Sequence, residues 1–311
     1  MLAGGAGAAV GSRAAVGTHQ LKGAGLKEME MQRRELLKSS GLAAGAALAA
    51  GARLSAARTA FVKAKDYKKE PFRRMVIMGE STVQGGSWLR RKEDRYADIV
   101  ANLINACQDS PMEYYNKGIG ANAISPRSPG FEKSKKPSAL ERYQTDVIDL
   151  KPDLFILAYG LNDMRAAMPV AEFREDMATI IRDVQKACSP VTVLTTVYYM
   201  TGWKSFPPYN QGSIELTQRY NDCIRELAAK FRCLVADVWS GEGGADWLIH
   251  YDGVHGNKVG NLVIAHRLFE VIARHSSGLT NQTFAQEQDT AWTQRTMKAR
   301  AEAGDPFRKT W

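Results

Sequence analysis

Five short stretches that read as strands, alternating with stretches of helical spacing, leave this chain few folds to adopt. The strand stretches are Met75–Met78, Met112–Asn116, Asp153–Tyr159, Val191–Tyr199 and Cys233–Val238. Helical spacing covers Asp94–Gln108, Ala139–Leu150, Val170–Ala187, Ser213–Lys230 and Lys258–Arg274. Strands that alternate with helices are joined by crossovers, and crossovers give parallel pairing with helices on both faces. The expected architecture is a three-layer α/β/α sandwich around a five-stranded parallel sheet. Lys151-Pro152 stops one helix, because the residue before a proline is pushed out of helical backbone. Residues 125–138, full of Pro, Ser and Lys, read as an exposed loop. Exposed, too, is the expectation for 276–311, a polar tail or arm with a charged helix near Thr283–Ala303.

The first sixty residues have a different character. Residues 1–30 are rich in Gly and Ala without a clear period and read as a mis-assigned start, with Met29 or Met31 as the initiator. Gln32-Arg33-Arg34-Glu35-Leu36-Leu37-Lys38 follows, then an uncharged stretch from Gly41 to Ala52, then Arg53-Leu54-Ser55-Ala56-Ala57. This order resembles a twin-arginine export signal with a small-residue cleavage region at Ala50-Gly51-Ala52 or Ser55-Ala56-Ala57. It implies export by the twin-arginine machinery of a prokaryote to a periplasmic or extracellular site. The domains expected are therefore 1–60 as extension and export signal, 61–275 as the core, and 276–311 as the arm.

Composition excludes some partners. The formal charge is +9, of which residues 1–60 carry +5 and the remainder +4. A mature surface so close to balance makes no case for nucleic acid. No run reaches the ~18 apolar residues of a membrane span. Cys107, Cys188, Cys223 and Cys233 lack metal-ligand spacing, and a monomer is the default in the absence of heptads.

The chemistry lies at the strand ends. Met75-Val76-Ile77-Met78 is followed by Gly79-Glu80-Ser81-Thr82. The turn Gly118-Ile119-Gly120-Ala121-Asn122 follows the second strand, and Gly160-Leu161-Asn162-Asp163 the third. After the fifth comes Asp252-Gly253-Val254-His255. In an open parallel sheet these loops share one edge, where ligands bind. A serine hydroxyl needs a base to become a nucleophile. Of five histidines, His255 best fits that task, and Asp252, three residues earlier, is placed to orient its ring. Donors for an oxyanion are the N–H of Ser81, an N–H of the Gly120–Ala121 turn, and the Asn162 amide. Read singly, each part has a plainer meaning. Ser81 or Thr82 caps a helix, Asn162-Asp163 forms a turn, and Asp252-Gly253 does likewise. His250 and His266 read as bystanders.

Taken together, these four stretches resemble the four sequence blocks of the SGNH (GDSL-type) esterase/lipase superfamily over about residues 73–275. Gly79-Glu80-Ser81 is similar to the Gly-Asp-Ser block, with Glu80 in place of the usual Asp. Asn116–Asn122 resembles the glycine block, Gly160-Leu161-Asn162-Asp163 matches Gly-x-Asn-Asp, and Asp252-Gly253-Val254-His255 matches Asp-x-x-His. The resemblance implies a flavodoxin-like sheet and a Ser81–His255–Asp252 triad. It implies an oxyanion hole from Ser81, Gly120 or Ala121, and Asn162, with no metal or organic cofactor. The Gly-x-Ser-x-Gly elbow of α/β-hydrolases is absent, since Val83 stands at the second glycine.

The implied activity is hydrolysis of a carboxylic ester through an acyl-enzyme, on a small-molecule or polysaccharide substrate. An exported esterase of this type resembles enzymes that deacetylate polysaccharides. The segment Trp203–Tyr209 follows the fourth strand and offers rings that either stack on sugars or pin their own loop. No long apolar lid stands out. The alternatives are a lipid or thioester hydrolase, an acyltransferase, and a non-catalytic carbohydrate-binding relative.

Overall fold

The computed structural model describes residues 63–288 and 291–304. Its centre is a five-stranded, wholly parallel sheet in the order β2-β1-β3-β4-β5. The strands are β1 (Arg74–Gly79), β2 (Glu113–Gly118), β3 (Leu154–Ala158), β4 (Val191–Thr195) and β5 (Leu234–Ala236). In register, Met75 faces Leu154 on one side and Tyr114 on the other. The three-layer expectation holds.

Period-two alternation divides the core in two. Val76, Met78, Phe155 and Leu157 point to one face, where they meet Phe173, Ile180, Tyr220 and Ile224. These come from the helices Val170–Cys188 and Ile214–Phe231. Met75, Ile77, Leu154 and Ile156 point to the other face, against Tyr96, Val100, Ile264 and Leu268. Those belong to the helices Tyr96–Asn105 and Lys258–Arg274. Because both faces are covered, the central strands are buried along their length and read as unbroken apolar runs.

The chain leaves β1 for β2 on one side, then returns past β1 to β3 on the other. The order thus reverses between β1 and β3, and a crevice opens at their carboxyl ends. Gly79 and Ala158 are the last residues there. Arg142, in the helix Ala139–Asp146, ties this rim together. Its guanidinium donates to the Lys117 carbonyl at 2.9 Å, the Gly79 carbonyl at 3.3 Å, Asn122 Oδ1 at 3.2 Å and the Tyr159 hydroxyl at 2.6 Å. It also pairs with Asp146 at 2.6 Å.

Several local expectations are corrected. Strand β4 ends at Thr195 and does not run to Tyr199. Thr196 N–H still reaches the Ala236 carbonyl, but Val197 N–H turns to Asn221 Oδ1 at 2.7 Å. The helix from Ala139 closes at Asp146, with a separate single turn at Ile148–Leu150 before the proline. Residues 125–138 are not an exposed loop throughout, because Ser125 and Ser128 are buried. Arg127 anchors that segment on Asp176 and Glu175 of the neighbouring helix. The charged helix near 283–303 is two helices, Ser277–Gln288 and Ala291–Glu302. The first is tied in by Leu279, buried beside Ile272, and by Asp66 bonding Ser277. The expected export signal lies outside the described residues. Among those described, no helix is long and apolar enough to cross a membrane.

Candidate active site

Strand β1 delivers Ser81 into the crevice. Ser81 opens a one-turn helix, Ser81–Gln84, whose N-cap is Glu80, not Ser81 or Thr82. The Glu80 carboxylate accepts from Thr82 N–H at 3.0 Å and from the Thr82 hydroxyl at 3.1 Å. Spared from capping, the Ser81 hydroxyl faces His255, with Oγ 2.8 Å from Nε2. The longer arm of Glu80 therefore serves to hold the turn from beneath.

Asp252 and His255 come from a loop shaped by the aspartate. Asp252 Oδ1 accepts from the N–H groups of Val254 at 2.8 Å and His255 at 3.0 Å. Its other oxygen sits 2.8 Å from His255 Nδ1. With the ring proton on Nδ1 given to Asp252, Nε2 is left to accept from Ser81. Burial opposes the Asp252 charge, yet the bonds from His255 and Val254 outweigh it and hold the carboxyl at about 2. Burial draws the His255 imidazole below its ordinary value, against the pull of Asp252 in the other direction. The ring is thus neutral near pH 7 and able to take a proton. The Trp88 indole lies flat on it, centroids 3.7 Å apart and planes 11° apart.

The second and third blocks close the other side of Ser81. Ile119 N–H bonds the Gly79 carbonyl at 3.1 Å, which seats the Gly118–Asn122 turn against the serine helix. A Cβ on Gly118 would lie 2.2 Å from Gln84 N, so only glycine permits that approach. Ala121 holds φ at +56°, a left-handed backbone that glycine adopts without penalty. Gly160 has φ +123°, which aims the helix Leu161–Arg165 into the crevice. Asn162 Nδ2 donates to the Asn122 carbonyl at 3.0 Å, so its amide is oriented before any ligand arrives. Asp163 turns inward, accepting from Ile124 N–H at 3.1 Å. The fold thus links Ser81, His255 and Asp252 by hydrogen bonds, and ties Asn162 to the Gly118–Asn122 turn that is bonded to the end of β1.

Three neighbours escaped the sequence reading. Trp88 lies in a loop with no periodic signal. His250, read as a bystander, has Nδ1 3.2 Å from Asp252 Oδ2. Arg165 is buried, on the same helix as Asn162. Its place three residues after Asn162 on one helix was the available clue. The segment 203–209 divides: Phe206 is exposed, Tyr209 is buried, and Trp203 packs with Tyr199 and Trp239. Among the described residues no three of His, Cys, Asp or Glu gather to hold a metal ion.

Burial beneath the site has a pH signature. Burial pushes Glu80 up to about 7, with the nearby Asp163 charge adding to it. Asp163 itself rises to about 6, and Glu242, under the fifth strand's end, to about 8. A carboxyl raised on folding stabilises the fold fully below its unfolded value, and that stability is lost as pH rises through the folded value. For Glu80 the loss amounts to about 3 kcal/mol by pH 8.5. Urea unfolding should show Glu80→Gln matching the native chain at pH 4.5 and gaining over it at pH 8.5. An equal gap at both pH values would count against a neutral buried Glu80.

Comparison with known proteins agrees with this geometry. A profile of the GDSL-like Lipase/Acylhydrolase family matches residues 77–263, from β1 past His255. A lipase/acylhydrolase from Enterococcus faecalis is 22% identical, with TM-score 0.52 over 64% of this chain and 95% of its own. A variant of Axe2, an acetyl xylan esterase from Geobacillus stearothermophilus, is 18% identical, with TM-score 0.50 over 67% of this chain and 98% of its own. The uncharacterized lipoprotein YqeF of Bacillus subtilis (strain 168) is 22% identical over 184 residues, 53% of this chain and 70% of that protein. Sheet order, site and profile converge, and this chain belongs to the GDSL-like lipase/acylhydrolase family of carboxylic ester hydrolases.

Proposed function

We propose that Ser81 is the nucleophile of an esterase that removes short acyl groups, acetyl above all, from a carbohydrate. The observation that carries the mechanism is the continuous chain from Ser81 Oγ to His255 to Asp252, 2.8 Å at each link. His255 Nε2 takes the hydroxyl proton as Oγ attacks the ester carbonyl, and Asp252 stabilises the imidazolium that forms. The oxyanion is held by the N–H of Ser81, an N–H at Gly120 or Ala121, and Asn162 Nδ2. Collapse expels the alcohol, which receives the proton from His255. Water, deprotonated by the same ring, then releases the acid and restores Ser81.

The carbohydrate reading draws on the rim. Tyr251 is 95% exposed beside Asp252, and Trp247 is 79% exposed on the same loop. Flat, solvated rings of this kind stack on sugar faces. That an Axe2 variant of similar fold acts on acetyl xylan points the same way. Export through Arg33-Arg34, to a periplasmic or extracellular site, completes the proposal and suits a polymeric substrate outside the cell.

The test is release of acid from acetylated xylo-oligosaccharides set beside 4-nitrophenyl acetate, butyrate and octanoate. Acetate should be released from the sugar, and kcat/KM should fall with chain length. Octanoate turned over fastest, with no acetate from sugar, would favour a lipid substrate. Cleavage of none of the esters would favour a binding relative.

A further inference from the structure

We propose that Arg165 is an anion-recognition residue of the crevice, reading a carboxylate carried by the ester substrate. The inference rests on the esterase reading above. It narrows the substrate to an acylated acidic sugar or to the monoester of a dicarboxylic acid.

Two arginines of the described chain are buried, and they are used differently. Arg142 gives its terminal nitrogens to carbonyls, a phenol, an amide and Asp146. Arg165 is 5% exposed, and its Nε is buried without a hydrogen-bond partner. Among the described residues no carboxylate lies within ion-pair distance of its side chain. It lies over the Tyr209 ring, whose centroid is 5.4 Å from the guanidinium carbon. A guanidinium so largely withdrawn from water and without a carboxylate partner gains from pairing with an anion, so the site is suited to receive one.

Its place identifies the surroundings that such an anion would meet. Arg165 is one turn beyond Asn162 on the same short helix, hence on the same face. Its charge is felt by His255, Asp252 and Glu80, which lie around Ser81. Its backbone is held by Gln211 N–H, which bonds the Arg165 carbonyl at 3.0 Å, and its stem runs close to Gly212, where a Cβ would touch Arg165 Cγ at 3.4 Å. Burial lowers the guanidinium's proton affinity, but an arginine remains charged. Its planar fork matches a carboxylate through two parallel N–H···O bonds. The neighbouring Asp252 charge favours a monoanion over a phosphate dianion.

Binding tests this apart from turnover. Full-length Ser81→Ala protein is titrated calorimetrically with two pairs of intact esters. Methyl 3-O-acetyl-glucuronoside against methyl 3-O-acetyl-glucoside places the carboxylate on the alcohol side. Mono-4-nitrophenyl succinate against 4-nitrophenyl butyrate places it on the acyl side. In one pair the acid should bind at least ~10-fold tighter, and the preference should shrink between 0.05 and 0.5 M salt. It should vanish when Arg165→Gln is added and survive in part with Arg165→Lys. Equal binding within both pairs overturns the proposal, as does a preference that outlasts Arg165→Gln. Should the glutamine variant not fold, the charged-against-neutral comparison and its salt dependence decide alone. Turnover of neutral 4-nitrophenyl acetate by the native chain without any charge preference sinks the Arg165 role and leaves the esterase standing. A charge preference without turnover of any ester does the reverse.

Discussion

Ser81→Ala should lower kcat on 4-nitrophenyl acetate by about 10⁴–10⁶-fold, while leaving the fold intact. The expected loss is large because, in the proposed mechanism, the hydroxyl and imidazole act as one unit. His255→Ala should cost nearly as much alone, and the double variant little more. Residual rate above water would come from Asn162 and the backbone donors, which neither change touches. Ser81 Oγ reaches His255 at 2.8 Å and Glu80 only at 3.4 Å, and the helix cap is Glu80. Stability should therefore move by no more than about 1 kcal/mol. Steady-state kinetics with thermal unfolding on the same samples checks both halves. Activity of the Ser81→Ala protein within tenfold of the native chain would remove the proposed nucleophile.

Arg142→Leu carries the largest expected effect on stability, about 3–5 kcal/mol. The guanidinium joins the Gly79 carbonyl that ends β1, the Lys117 carbonyl near the end of β2, the Tyr159 hydroxyl and Asn122. Without it the Gly79 carbonyl keeps only the Ile119 N–H and Asn122 Oδ1 only the Tyr159 hydroxyl, and Asp146 loses its 2.6 Å partner and keeps Lys117 at 3.2 Å. For a domain of this size the melting temperature should fall by about 10 °C. The change should also reach the chemistry, because the Asn122 carbonyl accepts the Asn162 amide. A variant that melts with the native protein would show that the rim is held elsewhere.

What could be read from the residues follows their physics. Apolar runs covered on both faces announce themselves, so β1 and β3 were visible. The four chemical loops were visible because parallel strands put every carboxyl end at one edge, which turns distant residues into neighbours. Partnerships set by tertiary approach left no such trace. Glu80 takes over the capping expected of Ser81 because its arm reaches Thr82, a matter of reach and not of pattern. Strand β4 stops at Thr195 because Asn221 competes for the next backbone group. Residues 125–138 look solvated in composition, yet Arg127 draws them onto Asp176. Trp88, His250 and Arg165 gain significance only beside His255 and Asp252.

The indole resting on His255 covers one face of that imidazole and Asp252 holds its Nδ1, which leaves Nε2 as the one ring nitrogen that exchanges protons with a substrate. In the proposed reaction the departing alcohol and the incoming water must both meet this one atom. They cannot queue on opposite sides of the ring, so each waits for the doorway to clear. Whether an acyl group ends on water or on a second sugar then becomes a question of traffic, settled by which hydroxyl occupies the threshold first.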